Sequence, residues 1–569
     1  MNQTSAPAER SNIAVHLSRM AMRQPHTMAV VVPDGRDRGG HVRYTHLTYG
    51  QLDQDSNLIA QGLKSFGIAR GTRAVVMVRP GLDFFSLVFG LFKAGIVPVL
   101  IDPGIGLRNL GQCCREAEPE IFIGISKALM ARRLFGWGRA TVRQTILVAP
   151  GAGKRMGSGR KTLDDVRRAG GESRGQGLSP SASIALLAAD ETAAILFTSG
   201  STGSPKGAVY THAIFQAQVE SFRSLYEIEP GEIDLCTFPL FALFAPALGM
   251  TAVVPDMDPT RPARVEPARI FEAIDDFGVT NMFGSPALLR RLAQAGNSVS
   301  VRLPTLKRVI SAGAPVSPKI MDQLVPLLDR PAQIHTPYGA TEALPVASIG
   351  SGQVLRETRH ATDKGMGVCV GQPVAGIDAR IIQISDEPIP TWSDDLQMPD
   401  GEIGEIVVAG PVVTQTYYNR SRATSLAKIA DPDRQTVFHR MGDLGYRDSQ
   451  GRLWFCGRKS HRVNLAEETL FTIPCESIFN AHAEVARSAL VGVKRHGWVV
   501  PVICIEPLRW LRRSERDRVA RELLERGAAF PHTWRIKTIL FHPSFPVDIR
   551  HNAKIFREKL AVWASRRVR

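Results

Sequence analysis

The sequence of 569 residues lacks the features of several common classes of protein. Its seven cysteines are scattered, and none stands in a C-x-x-C pair or near histidines at metal-binding spacing. This argues against a disulfide framework or a zinc site and favours a reducing cytoplasm. The stretch before Asn12 is polar and has no apolar core of a signal peptide. We therefore expect a cytoplasmic protein.

No uninterrupted apolar run of membrane-spanning length is present. The nearest is the segment 84–101, which Lys93, Gly95 and Pro98 interrupt. Such a pattern predicts a buried helix followed by a parallel strand, and no transmembrane segment.

Acidic residues are too few to balance the basic ones: 54 Asp and Glu stand against 70 Lys and Arg, a net charge of +16. No nucleic-acid-binding module accompanies this excess, so we predict no nucleic acid partner. The excess lies mainly in residues 154–174, predicted to be an exposed loop, and in residues 509–526, predicted to be a charged amphipathic helix. A solvated basic surface explains it; docking to an acidic partner or to anionic lipid are the functional alternatives.

Residues 198–207 carry the most informative pattern, Thr-Ser-Gly-Ser-Thr-Gly-Ser-Pro-Lys-Gly, directly after an apolar run that predicts a buried strand. No bulky side chain keeps a ligand away, and backbone N–H groups and hydroxyls can converge on phosphate oxygens. Lys206 adds a mobile positive charge. The alternative is a flexible surface loop. The spacing is not that of a Walker loop, but it predicts a phosphate-binding loop.

This loop resembles the phosphate-binding signature of the adenylate-forming enzymes, which include acyl-CoA synthetases, luciferases and adenylation domains. Further motifs follow in the order of that superfamily: Tyr338-Gly-Ala-Thr-Glu342, then Gly442-Asp443, then Gly457-Arg458, then Lys554 near the C-terminus. The similarity extends over nearly the whole chain.

The resemblance implies an α/β fold in two domains. A large N-terminal domain, residues 1–457, would combine layered α/β subdomains with a small β-rich subdomain. A hinge at 458–460 would join it to a small mobile α/β domain, residues 461–569. The strand-and-turn pattern after Gly371 agrees with a β-rich subdomain.

The resemblance also implies ATP and Mg²⁺ as cofactors and assigns roles to particular residues. Glu342 would bind Mg²⁺ and Thr341 the α-phosphate, Asp443 would accept hydrogen bonds from the ribose hydroxyls, and Arg458 would support the nucleotide. The β- and γ-phosphates would be held by the loop residues Thr198, Ser199, Gly200, Ser201, Thr202, Gly203 and Lys206. The adenine slot would be formed by Gly313, Ala314, Pro315 and Tyr338.

Two alternatives to these nucleotide contacts stay open. Thr341 could be the N-cap of a helix that the motif begins. Asp443 and Arg458 could form only a surface salt bridge.

Lys554 corresponds to the superfamily's catalytic lysine, and with Thr341 and Glu342 it completes the predicted catalytic set. A charge on a long stem can reach the bridging oxygen and the carboxylate together. The usual P-x-x-x-S-G-K pattern is altered, since seven residues separate Pro546 from Lys554 and alanine replaces the glycine. Lys559 is the nearest alternative, but it lies in a predicted helix and is expected to face solvent.

Two residues expected of an acyl-CoA ligase are missing. The glycine that admits the pantetheine arm is absent at or next to Thr469, beside Glu467 and Glu468. A shifted register is the alternative. Ala242 and Leu243 stand where many relatives carry a histidine. The segment around them predicts the wall of a long acyl pocket, or simply a core helix. The wall would be formed by Phe238, Phe241, Leu243 and Phe244.

These departures, together with the Tyr338 and Lys554 segments, resemble the β-lactone synthetases of bacterial olefinic-hydrocarbon biosynthesis. The resemblance implies that ATP activates a long-chain 2-alkyl-3-hydroxy acid as its acyl adenylate. The substrate's own hydroxyl would then close a β-lactone and release AMP after pyrophosphate. It also leads us to expect a complex with other hydrocarbon-pathway enzymes. A long-chain acyl-CoA or acyl-AMP ligase is the alternative, and a catalytically inactive adenylate-binding scaffold is a third.

Overall fold

The structure, a computed structural model, describes residues 11–149, 161–174, 184–198, 205–299, 301–547 and 555–568. The strands are β1 (Met28–Arg36), β2 (Val42–Thr48), β3 (Arg73–Met77), β4 (Val97–Ile101), β5 (Ile121–Gly124), β6 (Gln144–Leu147), β7 (Lys161–Thr162), β8 (Thr192–Thr198), β9 (Lys206–Thr211), β10 (Ile233–Cys236), β11 (Thr251–Val253), β12 (Asn281–Phe283), β13 (Arg308–Ile310), β14 (Gln333–Ala340), β15 (Ala343–Gly350), β16 (Val368–Pro373), β17 (Asp378–Ile382), β18 (Gly404–Ala409), β19 (Lys428–Asp431), β20 (Thr436–Arg447), β21 (Leu453–Arg458), β22 (Val463–Asn464), β23 (Thr469–Leu470), β24 (Val485–Arg495), β25 (Trp498–Pro507) and β26 (Thr538–Phe541).

The α-helices are α1 (Val15–Arg23), α2 (Tyr49–Ser65), α3 (Leu82–Ala94), α4 (Leu107–Ala117), α5 (Ser126–Phe135), α6 (Leu163–Arg174), α7 (His212–Tyr226), α8 (Pro239–Ala242), α9 (Phe244–Leu248), α10 (Pro267–Phe277), α11 (Pro286–Val299), α12 (Pro318–Leu324), α13 (Ser351–Gln353), α14 (Arg359–Asp363), α15 (Ser421–Ala427), α16 (Thr472–Asn480), α17 (Arg513–Ala528) and α18 (Arg557–Ser565).

The largest sheet changes from parallel to antiparallel at β14. Strands β10, β11, β12, β13 and β14 pair in parallel, as strands joined by helical crossovers do. The hairpin β14–β15 then begins an antiparallel run through β16, β21, β20, β18 and β17. This run contains the strands expected for a β-rich subdomain, joined to the same sheet.

A second sheet has the order β7-β6-β5-β3-β4-β8-β9 and is parallel except for the last pair. Helix α3 is buried from Phe84 to Ala94, and β4 lies between β3 and β8. The prediction of a buried helix and parallel strand at 84–101 is therefore confirmed. Among the described residues, no helix combines the length and apolar character that a bilayer crossing requires.

The C-terminal part is a small α/β unit. Strands β24, β25 and β26 form its sheet, with one apolar cluster that includes α16 and α17 and a second that includes α18. The Glu476 carboxylate in α16 binds the Arg557 guanidinium at 2.7 Å and ties α18 to the unit. This architecture agrees with the predicted α/β fold of large and small parts.

The prediction of an exposed basic loop at 154–174 is wrong for residues 161–174, and residues 154–160 lie outside the described ranges. Residues 161–174 form β7 and α6, and Arg167 binds Asp55 at 2.8 Å and Asp83 at 2.7 Å. Helix α6 packs so closely on α2 that a Cβ at Gly170 would lie 2.0 Å from the Leu58 carbonyl oxygen. The segment is rich in residues typical of loops. It is mostly helical because its apolar and small residues pack on α2 and its arginine forms ion pairs with α2 and α3. The other basic segment, 509–526, is helical only from Arg513.

Replacing Gly170 by alanine should destabilise the N-terminal part, although alanine normally favours a helix by about 1 kcal/mol. The added methyl group would overlap the α2 backbone, and overpacking of this kind costs about 1–3 kcal/mol. Gly171→Ala is the matched control, because nothing lies within 4 Å of a Cβ there. Thermal unfolding should show a lower midpoint for Gly170→Ala alone. Equal midpoints for the two variants would contradict the packing of α6 on α2.

Candidate active site

A cavity of about 670 Å³ lies where the two large sheets and the hairpin β14–β15 approach each other. One end is apolar and aromatic, and the other carries charged side chains from β9, β18, β20 and β21. Its charged lining includes Lys206, Glu342, Glu405, Arg440, Arg458 and Lys459. Ionic and apolar groups are thus arranged along one continuous space.

The four side chains predicted to form an acyl wall all line the apolar end. Phe238 precedes α8, which contains Phe241. Leu243 follows α8, and Phe244 begins α9. The rings of Phe241 and Phe283 stack with centroids 4.5 Å apart. Stacked and edge-on rings give a rigid apolar surface. The segment therefore forms both part of the core and the wall of a cavity.

Thr341 and Glu342 form the two-residue turn of the β14–β15 hairpin, since Ala340 pairs with Ala343. The alternative in which Thr341 caps a helix is therefore wrong. A Cβ at Gly339 would lie 2.5 Å from the Ala343 carbonyl oxygen, which explains the glycine beside the turn. The turn projects both residues into the charged end of the cavity.

Glu342 is held by neighbours on the segment after β18. The Tyr417 hydroxyl donates to the Glu342 carboxylate at 2.6 Å, and the Thr414 N–H donates to the Glu342 carbonyl at 2.8 Å. Lys428 in turn donates to the Thr414 carbonyl. Burial lowers the pKa of Lys428 to about 7, and Glu342 opposes that shift. The turn therefore has a fixed position and its carboxylate a fixed direction.

Lys206 begins β9, opposite Thr198, the last residue of β8. Its ammonium group lies 5.0 Å from the centre of the Tyr417 ring, within cation–π distance. Lys206 is thereby brought to the same tyrosine that holds Glu342. The other predicted loop residues, Ser199, Gly200, Ser201, Thr202 and Gly203, lie outside the described residues.

Asp443, Tyr338 and Arg458 meet beside the cavity. Asp443 and Arg458 are paired across β20 and β21, with Arg458 Nη1 3.0 Å from Asp443 Oδ1. The Tyr338 hydroxyl donates to Asp443 Oδ2 at 2.8 Å. Burial raises the pKa of Asp443, and Arg458 and the Tyr338 hydrogen bond act against the rise.

The Asp443–Arg458 pair is not a surface salt bridge, because the Asp443 side chain is only 5% exposed. Oδ1 accepts no hydrogen bond with good geometry within the described part of the chain. This oxygen is therefore held by the charge of Arg458 at 3.0 Å, and its acceptor capacity is not filled by a hydrogen bond.

Of the predicted adenine slot, Gly313 lines the cavity, as do Gly339 and Ala340 next to Tyr338. Ala314 and Pro315 follow in the same loop but are not part of the lining, and Pro315 is exposed. The structure thus places Gly313 in the cavity lining, and Ala314 and Pro315 outside it.

Lys554 lies outside the described residues. Lys559, its alternative, is exposed on α18, where its ammonium group lies 4.7 Å from the centre of the Phe556 ring. The expectation that Lys559 faces solvent is therefore confirmed.

The segment expected to lack the pantetheine glycine forms the hairpin β22–β23. Thr469 pairs with Asn464, and the turn between them contains Glu467 and Glu468. Arg535 approaches both carboxylates, at 3.0 Å and 2.9 Å. The side chains of Glu467, Glu468 and Arg535 thus surround this turn, whereas a glycine would leave its backbone accessible.

Several cavity residues were not predicted from the sequence. Arg440 and Lys459 both bind the buried Glu405 carboxylate, at 2.6 Å and 3.0 Å. His439 and Arg440 lie within three residues of the Gly442-Asp443 motif, and that proximity was the available signal. Tyr417, which lines the cavity, and Lys428, which donates to Thr414, stand in no recognisable motif, so only the three-dimensional structure reveals them.

The cavity, the hairpin turn and the Asp443–Arg458 pair lie together in a chain of the AMP-forming, ligase-type enzyme class. The chain belongs to the AMP-binding enzyme family, whose sequence model matches residues 17–418.

The relatives make the likeness more specific. The chain is 51% identical to an olefin beta-lactone synthetase of Xanthomonas campestris pv. campestris, over 97% of each chain. It is 50% identical to one of Stenotrophomonas maltophilia, over 97% of this chain and 98% of the relative. The fold resembles that of ATP-bound MatB from Rhodopseudomonas palustris, with a TM-score of 0.74 at 19% identity. The match covers 98% of this chain and 99% of the MatB chain.

Replacing Asp443 by alanine should weaken ATP binding. Hydrogen bonds to a charged group contribute about 1.5–3 kcal/mol, so we expect the Kd for ATP to rise by about 10- to 100-fold. Tyr338→Phe is the matched control, since it removes one hydrogen bond to Asp443 and keeps the carboxylate. Calorimetric titration with ATP measures both. An unchanged Kd for Asp443→Ala would contradict a role in nucleotide binding.

Proposed function

We propose that the protein activates a long-chain 2-alkyl-3-hydroxy acid with ATP and closes it to a β-lactone, releasing pyrophosphate and AMP. The observation that supports this most is the single cavity with an aromatic end and a charged end. An amphiphilic acid can lie along it with its alkyl chains among the phenylalanines. The names of the two relatives that are half identical to the chain agree with this reaction.

Nucleotide binding is proposed to use the charged end. Lys206, with the loop residues 198–203, would hold the β- and γ-phosphates, and Thr341 would contact the α-phosphate. Asp443 has an oxygen without a hydrogen bond for the ribose, and Arg458 balances its charge. Gly313 and Tyr338 would flank the adenine.

Glu342 is the proposed Mg²⁺ ligand. Mg²⁺ is usually bound by one or two carboxylates together with substrate phosphates and water. Glu342 is a carboxylate in the cavity lining, its direction is set by Tyr417, and it forms no ion pair among the described residues, so it fits that requirement. The ion would offset the charge of the triphosphate.

Acid activation is mainly a matter of positioning and charge stabilisation. The carboxylate must approach the α-phosphorus although both are negative, and the cations at this end of the cavity reduce that repulsion. Lys554 is the proposed lysine that stabilises the developing charge. The proposed hinge at 458–460 begins where β21 ends, so Lys554 would enter and leave with residues 461–569.

Ring closure needs no outside acceptor, because the attacking hydroxyl and the acyl adenylate belong to one molecule. The turn that would have to admit a pantetheine arm carries Glu467 and Glu468, both near Arg535. Negative side chains there oppose the phosphates of coenzyme A. A long-chain acyl-CoA or acyl-AMP ligase is the second candidate, favoured by the same aromatic cavity.

The direct test is the product formed from a synthetic 2-alkyl-3-hydroxy acid with ATP and Mg²⁺, analysed by mass spectrometry with and without coenzyme A. We expect a β-lactone and AMP in both cases. Lys554→Ala is the inactive control and should bind ATP normally.

An acyl-CoA thioester, or a strict requirement for coenzyme A, would favour the second candidate. An enzyme without ATP–pyrophosphate exchange in the presence of the acid would instead be an inactive scaffold.

We also propose that the excess of basic residues, which includes the segment 509–526, docks partner enzymes of the same pathway. A long apolar lactone is poorly soluble and reactive, so direct transfer would protect it. Exposed charges are screened within about 8–10 Å at physiological salt, so such a complex should weaken as salt rises. Co-sedimentation with pathway enzymes at low and high salt tests this. Absence of a complex at both salt concentrations would refute the proposal.

A further inference from the structure

His439 is a histidine in the cavity wall to which none of the roles above applies. It lies in β20, four residues before Asp443, and is only 3% exposed. It lines the cavity together with Lys206, Thr341, Glu342 and Arg458. An imidazole is the side chain best suited to proton transfer near neutral pH.

The hydrogen bond of His439 determines which ring nitrogen is available. Nδ1 lies 3.2 Å from the Ala427 carbonyl oxygen. Because a carbonyl can only accept, Nδ1 carries the proton, and Nε2 of the neutral ring keeps its lone pair. Nε2 makes no hydrogen bond to the residues that the structure describes. The ring is therefore fixed at one nitrogen and free to accept a proton at the other.

The surroundings keep the ring neutral before reaction. Burial lowers the pKa of His439 well below its ordinary value, and the nearby cations Lys428, Lys206 and Arg458 lower it further. Lys428 lies directly opposite on the neighbouring strand β19. An anionic acyl adenylate at this end of the cavity would offset these cations and stabilise the imidazolium that forms.

Other groups in the cavity wall that could act as a base already have partners. Glu342 accepts from Tyr417, Glu405 binds Arg440 and Lys459, and Asp102 accepts from the Gly104 N–H at 2.8 Å. Lys428 is close by, but its ammonium group donates to Thr414. The carboxylates keep further lone pairs, but Glu342 is the proposed Mg²⁺ ligand and Glu405 is neutralised by two cations. His439 instead offers a neutral imidazole whose Nε2 has no hydrogen bond among the described residues, which suits proton transfer near neutral pH.

We propose that His439 is the general base of ring closure, accepting the proton of the substrate's β-hydroxyl at Nε2. The β-oxygen forms a bond to the carbonyl carbon of the acyl adenylate, and the bond from that carbon to the phosphate oxygen breaks. The electron pair leaves with AMP, and the proton on Nε2 passes to water afterwards. The role rests on the proposed β-lactone function and concerns its second half-reaction only.

Measuring acid activation and ring closure separately distinguishes a general base from a structural residue. In His439→Ala and His439→Gln, ATP–pyrophosphate exchange with the hydroxy acid should stay within about threefold of wild type. Lactone formation should fall by about 100-fold or more, the range for loss of a general base. Acyl adenylate should accumulate, and added imidazole should restore part of the lactone rate in His439→Ala. His335→Gln, at a half-buried histidine outside the cavity lining, is the matched control and should leave both rates near wild type.

Normal lactone formation by both His439 variants would overturn the proposal. So would an equal loss of exchange and lactone formation without rescue by imidazole, since that result indicates a structural role. If the wild-type enzyme performs exchange but makes no lactone, the proposed function fails, and His439 has no such step to catalyse.

Discussion

The ion pair between the buried Asp443 carboxylate and the half-buried Arg458 guanidinium ties together the strands β20 and β21 at the charged end of the cavity. A charge taken out of water must be paired, and the antiparallel register of β20 and β21 puts this carboxylate and guanidinium side by side. Tyr338, on β14, adds a hydrogen bond to the same carboxylate. The Tyr338 hairpin is thereby locked to β20, which brings the turn with Glu342 to its place beside Lys206. The pair thereby supports one side of the turn that carries Thr341 and Glu342.

A second network, centred on Tyr417, holds the other side of the turn. Its hydroxyl donates to the Glu342 carboxylate, and its ring lies under the Lys206 ammonium group. The backbone N–H of the next residue, Tyr418, donates to the Gly207 carbonyl at 2.8 Å. The strand after the phosphate loop and the hairpin turn are therefore joined through one side chain. In an enzyme that works mainly by positioning, such rigid supports matter as much as the groups that touch substrate.

The sequence was most informative where chemistry requires particular residues at fixed spacing. The order of motifs from Thr198 to Lys554 predicted the superfamily, and the aromatic run from Phe238 to Phe244 predicted an apolar wall, because both depend on local pattern. Contacts between distant strands leave no such pattern: Tyr417 to Glu342 and Lys428 to Thr414 depend on how the sheets meet. Residues 161–174 show that local composition can also mislead. Their composition is typical of a loop, but most of them form a helix because they pack on α2 through Gly62 and Gly170.

The central claim is that the carboxylate, and not the hydroxyl, is activated by ATP before the ring closes within one molecule. Isotope labelling with ¹⁸O tests this most directly. With ¹⁸O in both carboxylate oxygens of the hydroxy acid, the account predicts one labelled oxygen in AMP and one in the lactone carbonyl. With ¹⁸O in the β-hydroxyl, it predicts the label in the lactone ring and none in AMP. Hydroxyl label in AMP, with both carboxylate oxygens retained in the lactone, would contradict the account.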